Sequence, residues 1–268
     1  MTKDVLTQQM TKRFGMVKRA RGCFLYTERG VRLTDLYQEG GRAILGWGGG
    51  SALTVFKNVL DRKIIGTFDT AFSPQAAGGK SQLSRAVSAL LSGERNVFVF
   101  NAETDAAQFA ERVCGDVCFY VPWNGDGIDW REQKCVLVRP PFPFGDTLTI
   151  VAVRPEDCAA ASAPGSQFRV PAPLCAAVTR ALYDLIAELP RREEKHWFVY
   201  DTVLRRYWTR TGPYLFPNVD EAQYDDFVLH CLDCNLVISP TRAVPSIVPF
   251  GADKGNFSAL AKSPFGGA

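Results

Sequence analysis

The sequence predicts an α/β fold: an α/β core with a smaller α+β lobe built from both chain ends. Three observations carry that reading. In the middle of the chain, short apolar runs of strand length alternate with stretches whose apolar residues recur at helical spacing. Both ends instead mix short strands with helices. The chain has 268 residues, 46% hydrophobic and 22% charged, enough for one large domain or two modest ones.

The elements follow in chain order. Residues 1–20 form a polar arm with helical character. At 21–37, Phe24, Leu25 and Tyr26 face Val31, Leu33 and Leu36 across "TERG", a hairpin whose turn Gly30 permits. The bend "GWGGGS" could cradle a phosphate, but it lacks the Lys-Ser/Thr of a P-loop and the dinucleotide-binding glycine spacing. Leu53, Val55, Phe56, Val59 and Leu60 predict a helix over 51–64. A loop at 70–81 precedes a second helix over 81–93, ended by Gly93. "NVFVF" (96–100) is a buried strand, and 102–114 a helix with acids at its start, suited to the helix dipole. "DVCFYVPW" (116–123), "CVLVRPPFPF" (135–144) and "LTIVAV" (148–153) read as strands, and 158–173 as a loop. A long helix over 173–189 opens with a proline and stops at Pro190. "KHWFVYDTVLRRYW" reads as helical, "YLFP" as a strand, and 220–235 as a helix capped by Asp220 and closed by Asn235. Two short strands and a last helical turn, "NFSALAK", complete the chain. The divisions are 1–50 (arm and hairpin of the small domain), 51–190 (a shortened α/β large domain) and 191–268 (a C-terminal small α+β domain).

A net charge of +3, with basic residues interspersed among acids, gives no footprint for nucleic acid. The N-terminus has no apolar signal core, and no stretch approaches a membrane span. Eight scattered cysteines without a signal peptide read as mostly buried free thiols of a cytoplasmic protein.

The segment "GCFLYTERGVRLTDL" resembles an early "G-x-Y-L-x-D-x-x-G-x-R-Y-L-D" hairpin. "ILGWGGGSALTVFKNVLDRK" resembles an "LGH-x-x-P" turn and its helix, and "QLSRAVSALLSGERNVFVFNAETDAAQFAERV" a helix, strand and "S-G-T-E-A" phosphate-cup helix. "APLCAAVTRALYDLIA" resembles an "N-P-L-A-C-A-A-A" helix. Together these resemble the class III branch of the fold type I, pyridoxal-phosphate-dependent aminotransferases, the glutamate-1-semialdehyde aminomutase group among them. The resemblance covers roughly the first 115 residues, that helix, and a small-domain stretch from Tyr207 to Ala261. It implies a fold type I architecture with a reduced large-domain sheet, and a homodimer, because family active sites are built at a dimer interface.

The family's chemistry needs a Schiff-base lysine, a carboxylate on the pyridinium nitrogen and a phosphate cup at a helix N-terminus. The chain departs at each point. In the cup, Glu103 falls on the family's Thr or, shifted by one, on its Gly, and a carboxylate there repels a phosphate dianion. Between Val113 and "DVCFYVPWNG" a long family stretch of sheet and helix is missing. The carboxylate position falls at Val121–Trp123, with Asp126 and Asp129 in the loop beyond. The lysine position falls on Arg139 or Pro140, and arginine forms no imine. Lys134 precedes the strand, and Lys80 in "AAGGKSQ" reads as an exposed loop lysine.

The expectation is therefore a degenerate aminotransferase-fold protein with no catalytic residue and no cofactor, acting in binding, regulation or assembly. The alternative is an enzyme or small-molecule binder that holds a phosphorylated or carboxylate ligand between the lobes. Ligand-binding candidates are Asn101 and Thr104 at the cup helix, Trp123 and Asn124 after one strand, Arg139 after the next, and Gln167 and Arg169 from a loop. They would converge at the C-terminal ends of parallel strands. The competing expectation pairs these arginines with Glu103 and Asp126. Beyond a homodimer, a full-length relative is a possible partner. No metal is expected: "HCLDC" offers His230, Cys231 and Cys234, Cys114 and Cys118 have another spacing, and a structural zinc site needs four ligands. His196, before "WFVY", lies in no nucleophile motif.

Overall fold

The computed structural model describes residues 1–66, 68–74, 81–124, 127–144, 148–160 and 168–266. Helix α1 (Lys3–Phe14) starts at Thr2, whose hydroxyl accepts from the Val5 amide, and ends at Gly15. Strands β1 (Val17–Arg21), β2 (Phe24–Thr27) and β3 (Arg32–Asp35) follow, with Leu25 opposite Leu33 in the hairpin. Then come α2 (Ala52–Asp61), α3 (Gln82–Leu90), β4 (Asn96–Phe100) and α4 (Glu103–Cys114). Strands β5 (Cys135–Val138) and β6 (Thr149–Val153) precede the long α5 (Ala172–Glu188). A short α6 (Asp201–Leu204), β7 (Trp208–Thr211), β8 (Tyr214–Pro217) and α7 (Tyr224–Asp233) follow. The chain closes with β9 (Leu236–Val237), β10 (Ser246–Ile247) and α8 (Ser258–Lys262).

These elements form two compact units. The first comprises residues 1–49, 123–125 and 192–268, and the second residues 50–122 and 126–191. The first holds a β1-β2-β3-β9 sheet, antiparallel except for the parallel β3–β9 pair, and an antiparallel β10-β8-β7 sheet. Its core joins Leu33 and Leu36 to Trp208, Phe227 and Phe257.

The second unit is built on a β4-β6-β5 sheet. All five residues of β6 are buried, as befits a central strand covered on both faces. Alternation divides the sheet. Phe98, Phe100, Cys135, Leu137, Val151 and Val153 pack with Phe109 and Ala106 of α4. Val136, Val138, Ile150 and Ala152 are buried on the opposite side. The α/β class is as the sequence predicts, but the strands are not hydrogen-bonded in parallel. β6 is antiparallel to both neighbours, so β4 and β5 share one direction with β6 between them.

Four sequence expectations are corrected. Residues 116–123 form no strand: one parallel bridge joins Phe119 to Leu137, with Tyr120 N donating to Leu137 O and Leu137 N to Cys118 O, both at 2.8 Å. Pro122 lacks the donor needed to continue it. Strand β5 stops at Val138, because Arg139-Pro140-Pro141 cannot extend the ladder. The stretch 195–208 breaks into one-turn segments, Glu194–His196, Phe198–Tyr200 and α6, since its run of aromatic and β-branched residues is a poor helix former. Helix α7 begins at Tyr224 after a 3-10 turn, and the Asp220 side chain caps nothing there, whereas Asn235 takes the left-handed conformation expected of a closing residue.

Arg95, just before β4, is 1% exposed. Its Nη1 donates to Gln133 O (2.5 Å) and Lys134 O (3.4 Å), and its Nη2 to Trp130 O (2.6 Å) and Arg131 O (3.0 Å). Its own backbone is held by α3: Ser84 Oγ donates to Arg95 O, and Arg95 N donates to Ser88 Oγ. Replacing Arg95 with Met strips the guanidinium donors from these carbonyls. We expect a loss of about 3 kcal/mol in urea denaturation, against under about 0.5 kcal/mol for an exposed arginine such as Arg19.

Candidate functional site

The register of the small sheet sets the geometry. Asn96 and Cys135 both pair with Val153, and Val99 and Val138 both pair with Ile150. The C-terminal ends of β4 and β5 therefore emerge at the same end of the sheet, one on each side of β6. Arg139 follows β5 directly, and Glu103 opens α4 just after β4. The two meet in a fork: Arg139 Nε lies 2.7 Å from Glu103 Oε2, and Nη2 2.7 Å from Oε1. Both side chains are 41% exposed. The guanidinium also lies over the Phe119 ring, 4.3 Å from its centroid.

The first turn of α4 carries negative charge already, with Glu103 and Asp105 where the dipole favours acids. Its N-cap, Ala102, contributes no side-chain bond. Asn101 and Thr104 are exposed beside this turn, and Arg169 is exposed ahead of α5. Trp123 and Asn124 belong to the first unit, where Trp123 packs edge-on to Trp197 and under the Arg192 guanidinium. Gln167, Lys80 and Asp126 lie outside the described residues. Of the described candidates, Arg139 is paired with Glu103, Asn101, Thr104 and Arg169 share its unit, and Trp123 and Asn124 belong to the other.

The glycine-rich bend binds an anion that the protein supplies. Ser51 N, at the start of α2, donates to Asp184 Oδ2 (2.7 Å), and Arg180 Nε donates to Asp184 Oδ1 (2.8 Å). Gly50 has φ +67°, and a Cβ there would lie 2.3 Å from Asp184 Oδ2. Only glycine permits this approach of α5 to α2. Sequence reading missed Asp184. The available signal was a lone acid inside the apolar stripe of "AVTRALYDLIA".

The remaining candidates are structural. His196 Nδ1 accepts from Glu193 N, and His230 Nε2 lies 2.8 Å from the Ser263 carbonyl. Cys231 is fully buried, and burial pushes its thiol well above the ordinary range. All eight cysteines are free, and five are buried. Among the described residues no group of three His, Cys, Asp or Glu could hold a metal, and no helix is long and apolar enough to cross a membrane.

The fold is that of the pyridoxal-phosphate-dependent aminotransferases, fold type I. The chain is similar to ornithine aminotransferase of Plasmodium yoelii (TM-score 0.70, 12% identity, 98% of this chain and 97% of that one). It is also similar to acetylornithine aminotransferase of Elizabethkingia anophelis (TM-score 0.65, 9% identity, 97% of this chain and 98% of that one). No family model matches the sequence. The chain belongs to the family of an uncharacterized protein of Treponema pallidum (strain Nichols), to which it is 30% identical over 291 residues, 90% of this chain and 91% of that protein.

Gly50→Ala places a methyl group against the Asp184 carboxylate and forces a left-handed alanine. We expect a loss of at least about 2 kcal/mol in denaturant titration. The double variant Gly50→Ala with Asp184→Ala should recover part of that loss, because the close contact is then gone.

Proposed function

We propose that this protein is an aminotransferase-fold member without Schiff-base chemistry, acting through binding, regulation or assembly. The observation that carries the reading is that the resemblance places the lysine on Arg139 or Pro140, neither of which can form an imine, and that the Arg139 guanidinium is forked onto Glu103. Pyridoxal phosphate, where bound, supplies an electron sink through a lysine imine. The residues present are a poor fit for it. Arginine stays protonated and forms no imine. Two carboxylates, Glu103 and Asp105, stand in the helix turn where a phosphate dianion would be cradled. Lys134 precedes β5, at the strand end opposite Arg139.

The test is direct. Purified protein incubated with pyridoxal phosphate is reduced with borohydride and digested. Mass spectrometry should find no site-specific pyridoxyl-lysine, and the spectrum should show no imine band that persists after gel filtration. Stoichiometric labelling of a single lysine, Lys80 and Lys134 included, would overturn the proposal.

We also infer a homodimer. Leu53 and Leu60 of α2 are exposed, as is Phe144, whose ring lies 5.0 Å from that of Phe56 on the same helix. Such a surface fits a second copy of the chain, and obligate interfaces of this kind bury about 2,000 Å² or more and resemble a core. Light scattering at micromolar concentration should report a dimer, and Leu53→Glu with Leu60→Glu a folded monomer. A monomeric parent chain that assembles only with a full-length relative would replace this reading.

A further inference from the structure

The first unit contains a cavity of about 520 Å³ between α1 and the β1-β2-β3-β9 sheet. Its walls are mainly apolar, with Leu6 and Met10 from α1, Leu25 from β2 and Val237 from β9. Its charged groups come together from three separate places in the chain: Asp35 at the end of β3, Glu39 in the turn that follows, and Lys3 near the start of α1. Volume and lining are those of a small-molecule site: an apolar body pocket with a few polar groups to fix orientation.

The polar groups are unevenly charged. Lys3 Nζ lies 2.8 Å from Glu39 Oε2. Asp35 is 1% exposed and, among the described residues, has no cationic side chain as a hydrogen-bond partner. Its Oδ1 accepts from the Tyr37 and Gln38 amides (3.0 and 2.8 Å), and its Oδ2 accepts from Trp47 Nε1 (2.7 Å). A carboxylate offers about four acceptor positions, so one on Oδ2 is left over. Two carboxylates and one ammonium leave the lining with a net negative charge. Burial raises the Asp35 pKa to about 6, opposed by the hydrogen bonds from Gln38, Trp47 and Tyr37, while the charge of Glu39 pushes it further up. An added cation relieves that repulsion. Trp47, which also lines the cavity, presents an aromatic ring to such a group.

The backbone supports the assignment. Gln38 and Glu39 have φ of 48° and 50°, and Gly40 and Gly41 continue the left-handed run. Two consecutive non-glycine residues in this region are strained, and strain of this kind gathers at ligand sites. Here it carries Glu39 from the buried Asp35 to the lining of the cavity, within reach of Lys3.

We propose that this cavity binds an apolar organic cation, with the hydrocarbon body along Leu6, Met10 and Val237 and the cationic head toward Asp35 and Glu39. The assignment does not rest on the proposed loss of Schiff-base chemistry.

Three chain-matched probes decide it: n-octylammonium, n-octanol and n-octanoate, titrated by calorimetry into the full chain at neutral pH. n-Octylammonium should bind at least tenfold tighter than n-octanol, and n-octanoate more weakly than either. Glu39→Gln should weaken n-octylammonium several-fold and leave n-octanol unchanged. Met10→Trp fills the cavity and should abolish binding of all three, with the fold checked by circular dichroism; Thr7→Trp, also on the lining, serves if that variant does not fold. Absence of binding by every probe overturns the proposal, as does n-octanoate matching or exceeding n-octylammonium. Binding unaffected by either tryptophan variant overturns it too. A cavity filled by a second copy shows no probe binding and an assembly weakened by Met10→Trp, and this also overturns it.

Discussion

The second unit is organised around the buried guanidinium of Arg95. A three-stranded sheet has little area with which to hold its connections, and the segment leading into β5 has no strand of its own before Cys135. Arg95 gathers four carbonyls of that segment, from Trp130 to Lys134, while two serines of α3 hold its own backbone. One side chain thus fixes α3, β4 and the entry to β5 together. The planar fork suits this task, since lysine could direct only three donors from a single atom. The four described hydrogen bonds of its side chain all go to peptide carbonyls, with Glu156 and Asp157 adding charge attraction.

Everything at the strand ends depends on that alignment. Because β4 and β5 share a direction and flank β6 in register, residues after Phe100 and after Val138 leave the same end of the sheet, with β6 between them. The Arg139–Glu103 fork follows from this placement. Exposed as it is, the pair adds little to stability. Its consequence is electrostatic: the guanidinium is engaged, and the start of α4 faces a carboxylate of its own chain. The start of α2 holds Asp184 as a resident anion, which accepts from the Ser51 amide. Acidic side chains of the chain itself stand at both helix starts, and at α2 one of them accepts from a backbone N–H.

Much of the fold was legible. The hairpin at Gly30, the helices at α2 to α5 and the strands β4 and β6 show in apolar spacing and turn residues, and the motif words pointed to the aminotransferase fold. Strand direction was not legible, because a strand buried on both faces reads as the same apolar run in parallel and antiparallel sheets. Residues 116–122 have the composition of a strand, and only tertiary context limits them to one bridge with β5. Arg95 and Asp184 escaped notice because arginine and aspartate are surface residues by default. Sequence alone offered the Arg139–Glu103 pairing as the competitor of an anion site. It had no means of seeing Asp35, Glu39 and Lys3 as neighbours, since their proximity depends on a left-handed turn and on α1 lying near the sheet.

The division of the chain bears on how the protein is made. The second unit is drawn from residues 50–191 apart from a three-residue excursion, so it can close while the chain is still being synthesised. The first cannot. Thr34 pairs with Leu236, and Asp35 with Val237, so the N-terminal hairpin waits for nearly the whole chain before its sheet gains its fourth strand. During that wait the apolar faces of Leu25, Leu33 and Leu36 have no native cover from α7 or β9. Contacts this distant in sequence form slowly, and an uncovered hairpin is open to wrong partners.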